Sequence, residues 1–167
     1  MKISPLTQRR INNFKSNKRG LYSAIIFIII FTVTLFAEFI ANDKPILVKY
    51  DGGIYFPVFE KIPETFFGGE FETEADYKDP FVQNLIKSKG FYLMPVIEYS
   101  FDTINYDLKV PSPSAPTLEN ILGTDDQGRD VLARLIYGFR ISVFFGLTLT
   151  ILSSVIGIFI GGIQGFY

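Results

Sequence analysis

The sequence predicts a mainly α-helical membrane protein with two transmembrane helices, a small mixed α+β extracytoplasmic insert and an interfacial amphipathic helix. Two long apolar stretches, a basic N-terminus and an acidic middle segment lead to this prediction. Hydrophobic residues make up 48% of the 167 residues, and the 18 Phe are more than a small soluble domain usually carries. The predicted segments are a basic cytoplasmic N-terminus at 1–20, a first span at 21–40, an insert with a Pro-rich linker at 41–117, the amphipathic helix at 118–140 and a second span at 141–167.

The first span is the apolar stretch from Leu21 to Ile40, which carries no charge before Glu38. A bilayer core of about 30 Å requires roughly 20 predominantly apolar residues in a helix. A cleaved signal peptide also begins with a basic region. However, its apolar region is usually only about 7–15 residues long and is followed by small residues in an Ala-x-Ala pattern. No such pattern follows here, which favours a membrane span.

The second span begins near Ile141, and no charged residue follows from Ser142 onward. Six basic residues and no acid lie between Lys2 and Arg19, whereas residues 41–126 carry a net charge of −8. Basic residues remain on the cytoplasmic side of a membrane. We therefore expect a multi-pass protein of the inner (plasma) membrane, with its N-terminus and Tyr167 in the cytoplasm and the insert outside.

The second span carries small residues at a spacing of four, which places them on one side of a helix. Small residues allow helices to approach closely in lipid, where packing drives association. The alternative is that Gly is common in membrane helices in general. We predict a helix-packing face formed by Ser153, Gly157, Gly161 and Gly165, and we call it the glycine stripe.

The insert begins with a predicted β-hairpin. The β-rich runs Ile46–Tyr50 and Ile54–Phe59 flank Asp51-Gly52-Gly53, and Asp-Gly between such runs is a hairpin signal. Val96–Phe101 is predicted as a third strand. A stiff linker with prolines at 111, 113 and 116 then leads back to the membrane.

A short helix is predicted between Asp79-Pro80 and Gly90. Asp can cap the first backbone N–H groups, Pro suits the first helical position and Gly suits the end. We expect the side of this helix that covers the strands to be formed by Phe81, Val82, Leu85 and Ile86.

The residue inventory argues against catalysis. The sequence contains no Cys and no His, and it has no Walker A run for nucleotide binding. We expect no enzyme activity, no catalytic residue, no metal site, no cofactor and no nucleic-acid partner. Seven acids could form a metal site or bind a peptide amine, but a solvated surface loop is favoured for them. They are Glu60, Glu64, Glu70, Glu72, Glu74, Asp76 and Asp79.

A motif precedes the second span. Thr124 and Gln127 have the spacing of a capping box, and Asp130 and Arg134 are spaced for an ion pair along a helix. Asp125, Asp126 and Asp130 would lie near the positive end of that helix. Its predicted apolar face is formed by Val131, Leu132, Leu135, Ile136 and Phe139, which suits a helix lying at the membrane surface.

The same string resembles a signature of the permeases of dipeptide and oligopeptide ABC importers. The matching residues are Leu-Gly-Thr-Asp at 122–125, Gly-Arg-Asp-Val-Leu at 128–132, Arg-Leu-Ile-Tyr-Gly at 134–138, Arg140 and Ser142. It is similar to the C-type, second permease subunit, in which the string lies outside between the first two spans. The long insert resembles that of microcin C/oligopeptide importer permeases. The resemblance is close over 117–167 and loose over 1–40.

This resemblance implies a pore-forming role in an ATP-driven peptide importer. The implied partners are a second permease subunit, two cytoplasmic ATPase subunits that bind the ATP, a periplasmic peptide-binding protein and the bilayer. Family members continue through further spans and a cytoplasmic Glu-Ala-Ala-type loop, so a fragment, a truncated reading frame and a split subunit all remain open. The residues expected to shape the start of the second span are Gly123, Thr124, Asp125, Gly128, Arg129, Asp130 and Arg134.

A different class of protein also fits the residues. A two-span membrane-anchored sensor or adaptor would use the insert to bind a partner outside the membrane. The glycine stripe would then serve homodimerisation.

Overall fold

A computed structural model describes residues 4–166. Lys2 and Tyr167, to which the predicted orientation also refers, lie outside this range. The chain divides after Leu35 into two compact units, and each is described by itself.

The first unit consists of helices α1 (Pro5–Ser16) and α2 (Lys18–Leu35). The Ser4 hydroxyl caps α1 by accepting the Thr7 N–H at 3.3 Å. Asn17 separates the helices, because its N–H donates to Phe14 O while its side chain accepts the Gly20 N–H. Helix α2 is long and apolar enough to cross a membrane, and nearly all of its apolar window is exposed. It ends at Leu35, five residues before the end of the predicted 21–40 segment.

The second unit contains a three-stranded antiparallel sheet of β1 (Leu47–Tyr50), β2 (Gly53–Tyr55) and β3 (Gly90–Leu93), in the order β2-β1-β3. The predicted hairpin is present, with β2 shorter than expected. Asp51 and Gly52 form its turn with φ of 48° and 81°, the conformation that Asp-Gly favours in a two-residue hairpin loop. The predicted strand Val96–Phe101 is wrong, because only Ile97 in it makes an isolated bridge.

Helix α4 (Pro80–Lys89) lies where the sequence predicts it. The Asp79 carboxylate caps it by accepting the Phe81 N–H at 2.8 Å. Gly90 ends the helix in an extended conformation and begins β3. Val82 and Ile86 are fully buried, but the predicted contact of Phe81 is wrong, since its side chain is 51% exposed.

The sheet and α4 enclose the core of the insert. The Tyr50 hydroxyl donates to Phe67 O at 2.9 Å across this core, so the tyrosine is buried without losing its hydrogen bond. Phe67 belongs to a 3₁₀ turn, Glu64–Phe67, between β2 and α4. The core residues are Val48, Tyr50, Ile62, Phe67, Ala75, Tyr77, Val82 and Ile86.

A helix of 36 residues, α5 (Val131–Phe166), ends the described chain and is the second helix that could cross a membrane. The predicted amphipathic helix over 118–140 is therefore wrong for 118–130, which is not helical, and Val131–Arg140 is the start of α5. In the first turns of α5, Ala133 and Tyr137 are buried, Leu132 and Ile136 are partly buried against the same core, and Leu135 is exposed. The predicted contact of the apolar face with the membrane surface stays a prediction.

The start of α5 packs against a single-turn helix, α3 (Ala37–Ile40). Small side chains permit close packing here, since Ala37, Ala41 and Ala133 are fully buried. The Tyr137 hydroxyl donates to Ala41 O at 2.9 Å. This second core is completed by Ile97 and Tyr99.

Candidate functional site

The predicted family motif forms a compact loop directly before α5. We define the motif loop as residues 122–130. Gly123, Thr124, Gly128 and Asp130 are buried in it, although the loop contains no regular secondary structure. A buried loop has to satisfy its own polar groups, and hydrogen bonds within the second unit do so.

Thr124 is not the helix cap that the sequence predicts. Its hydroxyl accepts the Ser114 N–H at 3.0 Å and pairs with the Ser114 hydroxyl at 3.0 Å. The Gln127 N–H instead donates to Asp125 Oδ1. The capping box fails because the helix begins seven residues after Thr124. Thr124 therefore fastens the segment of the predicted stiff linker that contains Ser114 to the motif loop.

Asp130 is the residue that caps the helix. Its Oδ1 accepts the Ala133 N–H at 2.7 Å, which satisfies one of the free donors in the first turn of α5. Its Oδ2 accepts from Asn120 Nδ2 at 2.8 Å, and Asn120 Oδ1 accepts from Asn105 Nδ2 at 3.1 Å. This buried polar chain connects three separate loop segments to the start of the membrane helix. The predicted Asp130–Arg134 ion pair is wrong, since both carboxylate oxygens are occupied in this way.

Asp125 pairs with the two arginines of the motif. Its carboxylate accepts from Arg129 Nε at 2.9 Å and contacts Arg134 Nη1 as well. It also accepts the N–H groups of Gln127 and Arg129 at 2.9 Å. Burial disfavours the charged carboxylate, but the hydrogen bonds from Arg129 and Gln127 outweigh this and lower the pKa of Asp125. The Asp125 carboxylate is thus held in its charged form, and the hydrogen-bond donors of the motif loop surround it.

Gly123 is required by both conformation and space. Its φ of +77° lies in the left-handed region, and a Cβ at this position would collide with the Ser114 carbonyl oxygen. The Val131 N–H donates to Gly123 O at 3.1 Å, so the same glycine also satisfies the first residue of α5. Gly128 has a φ of +80° and receives the Asn105 N–H on its carbonyl.

A second charged contact joins α3 to the start of α5. Arg140 donates through two nitrogens to the two carboxylate oxygens of Glu38, at 2.8 and 2.9 Å. Such bidentate pairing fixes orientation as well as proximity. Tyr137 lies beside the pair, with its ring 5.1 Å from the Arg140 guanidinium carbon. We call Glu38 and Arg140 the charged clamp.

The glycine stripe has no partner among the residues that the structure describes. Ser153 and all three glycines of the stripe lie on an exposed surface of α5. A Cβ built at Gly157, Gly161 or Gly165 would meet no atom within 4 Å. The residues do share one side of an unbroken helix, but their role in helix packing stays a prediction.

Several of the seven acidic residues of the insert have structural partners within it. Glu64 accepts the Glu70 N–H, Glu74 pairs with Lys44, and Asp79 caps α4. No group of three or more acids within residues 4–166 is arranged to hold a metal ion.

An open cleft of about 540 Å³ lies beside these acids. Lys78 projects along one wall, where its ammonium group lies 3.2 Å from the centre of the Tyr99 ring and donates to Glu98 O at 3.0 Å. Burial lowers the pKa of Lys78, while nearby carboxylates oppose this effect. The cleft therefore contains its own cation.

Sequence reasoning missed four residues that complete the motif, namely Glu38, Asn105, Ser114 and Asn120. Their contacts connect positions 10 to 102 residues apart along the chain, and no local spacing reveals such pairs. One signal was present for the clamp. Glu38 and Arg140 are opposite charges at the ends of the two apolar stretches that border the insert, and charges at such positions often pair.

Comparison with known proteins shows what the chain resembles. Residues 4–53 match the family described as the N-terminal TM domain of oligopeptide transport permease C. The chain is 46% identical over 166 residues to the inner membrane ABC transporter permease protein YejE of Escherichia coli, an alignment that covers 99% of this chain and 49% of the relative. It is 47% identical over 189 residues to the peptidoglycan transport system permease protein YejE of Agrobacterium fabrum, with the same shares. The oligopeptide transport system permease protein OppC of Bacillus subtilis is 40% identical over 68 residues, which cover 41% of this chain and 21% of the relative. No solved structure matches the chain.

The predicted family resemblance is confirmed by these matches. The chain is similar to the N-terminal portion of C-type permeases of peptide ABC importers. It spans about half the length of the two YejE proteins.

Proposed function

We propose that this chain, as the N-terminal portion of a C-type permease, helps to form the translocation pathway of an ATP-driven peptide importer. The observation that carries this proposal is the match of nearly the entire chain, insert included, to permeases of ABC transporters. Two helices of membrane-spanning length and composition support it. Relatives named for dipeptide and oligopeptide transport support peptides as the proposed substrate class.

The proposed topology places the N-terminus in the cytoplasm and residues 45–120 outside the inner membrane. The basic residues before α2 and the uncharged stretch after Arg140 support this orientation. The proposed partners are a second permease subunit, cytoplasmic ATPase subunits that bind the ATP, and a periplasmic peptide-binding protein. Reporter fusions at Lys18 and Asn105 should report opposite compartments, and the same compartment for both would contradict the orientation.

The motif loop would act as an architectural element in this transporter. Asp130 caps α5, and the clamp of Glu38 and Arg140 holds the start of α5 against α3. Together these contacts set the position and direction from which the second span leaves the folded insert. The loop would thereby keep the outer end of the pathway in a defined geometry while partner subunits supply the energy of ATP hydrolysis.

A hybrid permease tests the proposed function. The matching half of the Escherichia coli relative is replaced by this chain, and uptake of labelled peptides is measured in cells that lack the native permease. We expect uptake that depends on intact partner ATPases. A matched hybrid with Gly123→Ala should insert but transport less. A wild-type hybrid that inserts and assembles normally yet imports no peptide would contradict the proposal.

The sensor or adaptor alternative makes a different prediction in the same cells. A two-span adaptor would associate with itself through the glycine stripe and would not co-purify with a second permease subunit. Affinity purification of this chain as a separate fragment, without the other half of the relative, distinguishes the two hypotheses, because only the permease hypothesis predicts recovery of the second permease subunit.

A further inference from the structure

Two phenylalanines lie against the helices at the level of the charged clamp. The Phe59 ring packs edge-on against Phe39, with centroids 5.7 Å apart, and Phe39 directly follows Glu38. The Phe101 ring packs against Tyr137 at 5.1 Å, and Tyr137 lies beside Arg140. Phe59 thus contacts α3, and Phe101 contacts the start of α5.

Both rings remain exposed despite these contacts. Phe59 is 71% exposed and Phe101 is 48% exposed. They come from segments about 40 residues apart, 56–60 and 99–103, yet both pack where α3 meets the start of α5. We call Phe59 and Phe101 the aromatic collar.

The clamp marks a boundary along α5. Arg140 is the last charged residue of the helix, and residues 141–166 present an uncharged surface that is exposed within the described chain. The folded insert lies on the other side of the clamp. If α5 spans a bilayer, its polar headgroup region meets the protein at the clamp, with the hydrocarbon beyond Arg140.

We propose that the aromatic collar inserts into the headgroup region of the outer leaflet, so that the lipid surface is the partner of this face of the insert. Aromatic rings on a polar framework suit this region, where apolar side chains are buried about 5–10 Å deep. The collar would prevent the insert from tilting on its two helices and would fix its height above the membrane.

Lipid is favoured over a protein partner because the rings lie next to a surface that already requires an apolar surrounding. Phe101 packs against Tyr137, one turn before the uncharged part of α5, and Phe59 packs against Phe39, the neighbour of Glu38 in the clamp. A protein that bound Phe59 and Phe101 beside the clamp would also have to contact the bilayer surface. The inference rests on α5 spanning a membrane and does not rest on peptide transport. A hybrid permease that fails to import peptides would therefore leave it unaffected.

Single tryptophans test the collar, because the sequence contains no Trp. Phe59→Trp and Phe101→Trp are reconstituted separately, as full chains, in phosphatidylcholine nanodiscs with or without bromine on the upper acyl chain. The matched control is Phe91→Trp: Phe91 is 55% exposed but pairs in register with Lys49 on the outer face of the sheet.

Brominated lipid should reduce the emission of both collar tryptophans by about twofold, the behaviour of side chains seated at the headgroup and acyl boundary. Emission of the Phe91→Trp control should change little and should be quenched by aqueous iodide instead. Two results would overturn the proposal. One is iodide quenching of the collar variants as strong as that of the control, with no effect of bromine. The other is protection of the collar from both quenchers, which would indicate a protein cover. If one collar variant fails to insert into the nanodisc, quenching of the other variant still tests the proposal.

Discussion

The motif loop and the glycine stripe both carry the glycines that the sequence singles out, but they differ in what surrounds them. A side chain at Gly123 would collide with the backbone of Ser114. A side chain at Gly157 or Gly161 would project into open space. Gly123 also has a left-handed φ of +77°, whereas Gly157 and Gly161 lie within the helix α5, so the two regions differ in backbone conformation as well as in packing.

This contrast separates two uses of a small residue. In the motif loop the chain provides both sides of the contact, and the requirement for Gly belongs to the fold of this chain. In the stripe the chain provides only one side, so any requirement for Gly must come from assembly with other helices. Substitutions at the two places should therefore fail in different assays.

The largest effect is expected for Gly123→Ala. The left-handed φ costs a non-glycine residue about 1 kcal/mol, and the collision with a backbone carbonyl adds roughly 2 kcal/mol, for a loss of about 3 kcal/mol in the free energy of unfolding. Urea unfolding of the insert in detergent, followed by tyrosine fluorescence, measures this loss.

Gly52→Ala is the matched control for Gly123→Ala. Gly52 has a φ of +81°, nearly the same as that of Gly123, but its built Cβ meets no atom within 4 Å. We expect a loss of only about 1 kcal/mol, from the conformation alone. Equal losses for the two variants would show that the Ser114 contact does not matter and would remove the distinction between the two regions.

An intermediate effect, on assembly and not on unfolding, is expected for Gly157→Leu and Gly161→Leu. Leucine would hold a neighbouring helix away, and recovery of the chain with a partner permease subunit should fall about tenfold, equivalent to about 1.4 kcal/mol. The urea midpoint of the insert should not move. Ile158→Leu lies off the stripe and should recover the partner normally. Equal recovery for all three variants would mean that these glycines reflect only the ordinary composition of membrane helices.

The parts of the fold that local signals determine could be predicted from the sequence. Asp51-Gly52 specifies the hairpin turn through backbone conformation, and Asp79-Pro80 specifies the start of α4 through a cap and a fixed φ. The two apolar stretches are equally local, since their length and lack of charge are visible without any partner. The hairpin turn and the start of α4 lie where predicted, whereas the apolar helices are shifted: α2 ends at Leu35 and α5 already begins at Val131.

The errors arise where a distant contact overrides a local pattern. β3 was missed because Gly90–Leu93 is specified by pairing with β1, more than 40 residues earlier in the chain. Thr124 has the spacing of a capping box, but the buried Ser114 backbone competes for its hydroxyl. Asp130 could have been identified as the cap, since an Asp directly before an apolar helix is a start signal. Its buried partner Asn120 could not.

The smallest effect is expected from protonation of Asp125 in the motif loop. Its pKa is lowered from an ordinary value of 3.8, because hydrogen bonds from Arg129 and Gln127 to the carboxylate outweigh the cost of burial. A lowered pKa means that the folded state favours the charged form. The stabilisation is therefore complete above the unfolded pKa and is lost as the pH falls through the folded pKa, below 3.8. At neutral pH no dependence is expected.

Hydrogen exchange of the Gln127 and Arg129 amides measures this loss, because both donate to Asp125 Oδ1 at 2.9 Å. Their protection, corrected for intrinsic exchange, should fall as the pH decreases below 3.8, while the Ala133 amide on Asp130 reports separately on the helix cap. Asp125→Asn should remove the acid dependence of the first two amides, because its side chain carries no titrating charge. Asp126→Asn, at the exposed neighbouring position, is the matched control and should leave that dependence in place. If both variants retain the wild-type pH profile, the loop is held by its backbone contacts and by Asp130, and the Asp125 charge is not what folds it.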